Sequence, residues 1–169
     1  MLVTPPGAFA RPHLPGVFLL KEPVLTNLVR RQVRGQTFTC EQSMALVDRQ
    51  RGALLGLAIG DALGAAIEFQ RPGTFEPVTG FRAGGPHRLH AGEWTDDTSL
   101  ALALANSIGQ AGWDLNDQAR RYVSWWRQGE YSVNGTRSDI GITTRRALSR
   151  FEEAGDARIS GDRSERASG

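Results

Sequence analysis

Four glycines spaced four residues apart, Gly52, Gly56, Gly60 and Gly64, run through an otherwise apolar, helically patterned stretch between Leu46 and Phe69. Leu54, Leu55, Leu57, Ala58, Ala62, Ala65 and Ile67 give that stretch a broad apolar surface at helical spacing. Each glycine costs a helix about 1 kcal/mol relative to alanine, so a whole stripe of them implies a use. The expected use is close backbone approach by another helix. Membrane helix dimers share the Gly-x-x-x-Gly spacing, but Asp61 interrupts the run and Arg49 and Arg51 precede it. No stretch reaches the roughly 18 uninterrupted apolar residues of a membrane span, so no membrane partner is expected.

Two acids lie in the same segment. Asp61 and Glu68 are seven residues apart, two helical turns, and a continuous helix would place both on nearly one face. Burying acids there is expensive unless they bind cations or accept hydrogen bonds. A helix-to-helix hydrogen bond is the plain alternative for Asp61, and a solvated position near the helix end is the plain alternative for Glu68.

The chain then turns irregular. Gln70 to Glu93 is rich in Gly and Pro, with Arg71-Pro-Gly, Glu76-Pro and Gly84-Gly-Pro marking turns. A loop this long inside a domain is often functional or carries short helices of its own. His87 and His90 within it read as polar loop residues able to touch a substrate, and with His13 they are too dispersed for a ligand set.

The loop ends in Gly92-Glu-Trp-Thr-Asp-Asp-Thr-Ser-Leu, where adjacent carboxylates and hydroxyls meet the start of an apolar helix. That helix should begin between Thr95 and Thr98 and run to about Gly109. Hard cations such as Mg²⁺ take oxygen ligands, and Thr95, Asp96 and Asp97 offer a hydroxyl and two carboxylates in a row. Successive side chains diverge by about 100° on a helix, so such a run suits two ions better than one. The plainer alternative is that Thr95 or Asp96 caps the helix while the other acid complements its dipole.

Two more helices follow, one over Leu115–Gln128 capped by Asp114 or Asn116, the other over roughly Gly141–Phe151, ending before Gly155. Ala119, Tyr122, Val123 and Trp126 should share the inner side of the first. No run keeps a strand period, so the fold class is all-α. Residues 1–43 hold five of the eight prolines and read as an extension or linker, with Met44 offering an alternative start. Residues 44–155 form the domain, and 156–169, charged and without apolar anchors, read as loop or disordered tail.

Composition excludes more than it selects. Hydrophobic content of 40% and charged content of 22% are ordinary for a globular domain. All cationic residues but Lys21 are arginines, scattered without a basic block, so no nucleic-acid partner is expected. Cys40 is alone, no targeting segment is evident, and the expected compartment is cytoplasmic. The glycine-striped run also lacks the Lys-Ser or Lys-Thr ending of a phosphate-binding P-loop.

Taken together, Ala58-Ile-Gly-Asp-Ala-Leu-Gly-Ala-Ala-Ile-Glu and Gly92-Glu-Trp-Thr-Asp-Asp-Thr-Ser-Leu-Ala-Leu-Ala, with Ser138-Asp-Ile-Gly-Ile-Thr-Thr after them, resemble the ADP-ribosylglycohydrolase, or DraG-like, family. The resemblance runs from about Arg49 to the C-terminus. It implies an all-α orthogonal helical bundle with a binuclear Mg²⁺ or Mn²⁺ centre that hydrolyses the bond between ADP-ribose and a modified side chain, or a small ADP-ribose derivative. By resemblance Thr95, Asp96 and Asp97 are metal ligands. Glu68 sits at the metal centre, as ligand or as gate and acid/base, and Asp61 is structural support. Asp139 helps bind or activate substrate, with Gly141 beside it.

Family members are roughly twice as long as the matching region, and the resemblance implies a C-terminal Asp-x-Asp-Thr or Asp-x-Asp-Ser element that is not found here. The chain therefore reads as truncated, with weak or absent activity and exposed apolar surface favouring self-association. An inactive ADP-ribose-binding remnant and a non-catalytic structural relative are the alternatives.

Overall fold

The structure is a computed structural model that describes residues 40–137 and 139–162. Five α-helices account for most of it: α1 over Cys40–Gly64, α2 over Asp96–Ala111, α3 over Leu115–Gln128, α4 over Ile142–Ala154 and the single turn α5 over Ala157–Ser160. Among the described residues the only β-type pairing is an isolated antiparallel bridge between Gly84 and Leu89, so the fold is all-α. No helix among them is long and apolar enough to cross a membrane.

The helices pack in series, α1 on α2, α2 on α3 and α3 on α4, with α5 closing against α3 and α4. Trp125 is fully buried, and Ala103, Ala105, Ala119, Leu148 and Phe151 are buried on the helices packed with it. The inner side of α3 is therefore turned toward Trp125 rather than Trp126, which is half-buried with the Arg127 guanidinium stacked 3.6 Å over its ring. A polar junction ties α2 to α3. Asp117 accepts hydrogen bonds from Ser107 Oγ and Arg121 Nε, each at 2.7 Å. Burial alone would raise the Asp117 carboxyl, but those bonds hold it below the ordinary carboxylate range.

Local chemistry explains the helix ends. Asp114 caps α3 by accepting from the backbone N–H of Asn116 and Asp117, and Gly155 ends α4 in the left-handed conformation. Gly129 ends α3 at φ 73°, and a Cβ there would land on the Gly135 carbonyl oxygen. Gly129→Ala is accordingly expected to cost about 2 kcal/mol, from left-handed strain plus the clash. Chemical denaturation measures it, and an unchanged midpoint would contradict the account.

Three more expectations change. The first helix begins at Cys40 and its α-helical part stops at Gly64, followed by a 3₁₀ turn over Ala65–Ile67, so Glu68 lies outside it with ψ 141°. No helix packs on the glycine stripe: a Cβ at Gly52, Gly56, Gly60 or Gly64 would meet nothing within 4 Å among the described residues. Leu55, Leu57 and Ile59 on the same helix are likewise exposed. The long loop is a loop as expected and carries a bridged hairpin, and the segment after Asp156, expected as loop, forms α5, capped by the Asp156 side chain on Arg158 N. Residues 1–39 of the expected extension and 163–169 of the expected tail lie outside the described residues.

Candidate functional site

Asp61 organises the site. Its Oδ1 accepts from Thr95 Oγ1 at 2.7 Å and its Oδ2 from Thr98 Oγ1 at 2.6 Å, while the backbone N–H of Thr95 and of Thr98 donate to the same carboxylate at 3.0 and 3.1 Å. Thr95 is the N-cap residue of α2, yet its own side chain makes no capping bond. Asp61, from α1, supplies the missing acceptor to the third amide of α2, so the cap is provided across the helix interface. A carboxylate at a helix N-terminus is also favoured by the helix dipole.

With capping delegated to Asp61, neither acid of the Thr-Asp-Asp run is consumed by it. Thr95 is buried, Asp96 half-buried and Asp97 exposed. Gly56, Gly60 and Gly64 form one wall of an open cleft of about 500 Å³, and Asp61, Glu68, Thr95 and Asp97 line it as well. The glycine stripe thus leaves room where side chains would otherwise stand. Although the 3₁₀ turn takes Glu68 off the helix, both Asp61 and Glu68 still reach the cleft.

The electrostatics centre on Asp96. Burial pushes its carboxyl above the ordinary value; a hydrogen bond from its own backbone N–H opposes this, and the negative charges of Asp97, Glu68 and Asp139 raise it further. Asp139, on the segment entering α4, is thereby brought into the same electrostatic neighbourhood as the Thr-Asp-Asp run. Its Oδ1 accepts from Ile140 N at 2.7 Å, and Gly141, two positions on, is the N-cap residue of α4. Among the described residues, no three His, Cys, Asp or Glu side chains gather closely enough to hold an ion by themselves. The acids share a field rather than a cage.

Two loop residues complete the surroundings. Trp94 Nε1 donates to the Tyr131 carbonyl at 3.4 Å, and the Tyr131 hydroxyl accepts from Asn106 Nδ2 and Arg121 Nη1, which ties the approach to α2 onto α3. His87, which the sequence offers with His90 only as a polar loop residue able to touch a substrate, is instead held against Glu68. Its side chain is 6% exposed and its Nε2 lies 2.6 Å from Glu68 Oε2. The only available signal was the Gly84-Gly85-Pro86 turn that delivers it. His90, by contrast, is an exposed loop residue tied to Glu93 three positions on.

A profile of the ADP-ribosylglycohydrolase family matches residues 42–169. The chain is 52% identical over 118 residues to "ADP-ribosylarginine hydrolase Tri1" of Pseudomonas putida (strain GB-1), covering 69% of this chain and 31% of that protein. It is 37% identical over 113 residues to "ADP-ribosyl-[dinitrogen reductase] glycohydrolase" of Rhodospirillum rubrum, covering 64% of this chain and 36% of that one. A solved structure titled "ADP-ribosylglycohydrolase-related protein complex" superposes with a TM-score of 0.57 at 50% identity, covering 68% of this chain and 36% of the other. The chain thus spans about a third of the length of these relatives. With the profile match extending over most of its length, this protein belongs to the ADP-ribosylglycohydrolase family.

Proposed function

We propose that the cleft serves hydrolysis of the glycosidic bond joining ADP-ribose to a protein side chain, arginine being the favoured acceptor because relatives named as ADP-ribosylarginine hydrolases are 52% and 49% identical. The observation that carries this reading is the gathering of Asp61, Glu68, Thr95 and Asp97 on one cleft walled by glycine backbone, with Asp96 in the field of Asp97, Glu68 and Asp139.

The donor set fits a divalent cation. Asp96 is disfavoured as an anion by burial, and the neighbouring charges acting on it are all negative, which is the environment an ion would relieve. Asp96, Asp97 and Thr95 Oγ1 would hold Mg²⁺ or Mn²⁺; the Thr95 hydroxyl donates its hydrogen bond to Asp61 and keeps lone pairs for a ligand role. When bound, the metal would polarise ribose oxygens and acidify a water.

The protein's own groups do the rest. Cleavage at the ribose C1 passes through an oxocarbenium-like state that needs a proton delivered to the leaving group and one removed from water. Glu68, at the cleft wall, is the group to move a proton, and Asp139 with Gly141 binds substrate at the mouth of α4. Asp61 fixes the Thr-Asp-Asp run in place, and the bare glycine wall admits the flat parts of a nucleotide.

Calorimetric titration of this chain with Mn²⁺ and ADP-ribose tests the proposal. So few gathered ligands imply an ion dissociation constant of about 10⁻⁴ M or weaker. Binding of both, together with release of ADP-ribose from an ADP-ribosylated arginine peptide, supports hydrolysis. Binding with no release supports an ADP-ribose-binding protein instead, a second reading favoured by the open arrangement of the acids. Silence toward both ligands overturns the proposal.

A further inference from the structure

We infer that His87, and the hairpin that carries it, form a positioning device that sets the orientation of the Glu68 carboxylate toward the cleft. The inference rests on the reading of Glu68 given above, and it begins from backbone.

Gly84 and Leu89 exchange two hydrogen bonds, Gly84 N to Leu89 O at 2.8 Å and Leu89 N to Gly84 O at 3.1 Å, closing a four-residue turn over 85–88. Leu89 is buried and anchors one end. At the other end Gly85, with φ 68°, lies against the 3₁₀ turn so closely that a Cβ would come within 2.7 Å of both Ala65 O and Ala66 Cα. Only a glycine allows the hairpin to seat on the turn that immediately precedes Glu68. The tip then delivers His87, 19 positions away in sequence, into hydrogen-bond contact with Glu68 Oε2.

Glu68 needs such a partner. It stands beyond the 3₁₀ turn in an extended conformation, with a side chain about one-third exposed. A glutamate in that setting samples many rotamers, and a group that moves a proton works only when held in register with its target. The next residue, Phe69, adopts φ 64°, a strained value for an aromatic residue, and its ring packs edge-on to His87 at 6.2 Å. Seated hairpin, strained corner and buried imidazole therefore converge on one carboxylate. With Oε2 engaged by His87, Oε1 is the oxygen left for chemistry.

A histidine that merely satisfies its own burial would leave ligand binding untouched, and that difference decides the test. In this 169-residue chain, His87→Ala is expected to weaken ADP-ribose binding in the presence of Mn²⁺ by about tenfold, while Mn²⁺ affinity alone changes less than about twofold. His87→Gln, which keeps an amide N–H near the position of Nε2, should restore most of the loss. Gly85→Ala, which alters neither partner, should reproduce it by unseating the hairpin. Wild-type ADP-ribose affinity in His87→Ala, or failure of His87→Gln to recover any of the loss, overturns the inference. If the unmodified chain binds no ADP-ribose, the functional proposal falls and the positioning device is judged by NMR. Glu68→Gln must then shift the His87 Nε2 resonance, and Gly85→Ala must shift the Glu68 carboxyl carbon. Absence of either shift overturns the inference.

Discussion

Asp61→Ala is expected to destabilise the protein by about 3–5 kcal/mol, because it strips the acceptor from several buried donors at once. The magnitude follows from what is orphaned. Two hydroxyls and two backbone amides, from Thr95 and Thr98, donate to that single carboxylate. Both threonines are almost fully buried, at 4% and 3% exposure, so water cannot readily replace the acceptor. The hydroxyls can rotate to other acceptors, but the amides at the start of α2 cannot, and each unsatisfied buried donor costs about 1–3 kcal/mol. A fall in melting temperature of roughly 10–20 °C by circular dichroism is the corresponding observable. Asp61→Asn keeps one acceptor oxygen and turns an NH₂ toward a donor, so its loss should fall between. A melting point within about 3 °C of the unmodified protein in Asp61→Ala would show that α2 is capped some other way.

How far such a cap can be read from sequence depends on how local its chemistry is. The ends of α3 were legible to the residue, because Asp114 caps amides two and three positions away and Gly129 supplies the left-handed exit. The Thr-Asp-Asp run was legible as a unit for the same reason, being contiguous. Its cap was not fully so: Asp61 could be singled out as an acid on an apolar, glycine-striped helix, but its bonds span 34 and 37 positions. His87 was less legible still, since nothing in its neighbourhood distinguishes a histidine at a loop tip from one seated on a glutamate 19 residues earlier.

Periodicity misled in two places. Ala65-Ala-Ile contains no helix breaker, yet the backbone tightens to 3₁₀ there and moves Glu68 off the predicted helix face. On α3, Trp125 and Trp126 point about 100° apart and each sits at helical spacing with other apolar residues, and it took the packing of α2 and α4 to select Trp125 for burial. The glycine stripe was correctly flagged by its propensity cost, but the same cost is accepted for two different purposes, approach of a helix or clearance of a cleft wall. Only the latter is seen among the described residues.

Asp96→Asn is expected to move stability and ion binding in opposite directions. The Asp96 carboxyl is held above its ordinary value of 3.8 by burial first and by three negative neighbours after it. Folding therefore favours the protonated form, and the sign follows by linkage. Below pH 3.8 Asp96 is protonated in folded and unfolded chains alike, and the substitution changes little. As the pH rises, the unfolded chain ionises first, so the stability tied to the protonated form is lost progressively until the pH has passed the raised folded value. Removing the charge removes that loss. Without metal, Asp96→Asn should then melt higher than the unmodified chain at neutral pH, with the advantage shrinking to nothing as the pH falls through the acidic range. With Mn²⁺ the order should reverse: an amide oxygen is a much poorer ligand for a hard cation than a carboxylate, so affinity should drop by at least about tenfold and the metal-dependent rise in melting temperature should vanish. Thermal melts across pH, with and without Mn²⁺, read both effects on one instrument. A metal-free variant that melts lower than the parent at neutral pH would mean that the Asp96 charge stabilises the fold. The strain on that acid would then no longer argue for a cation.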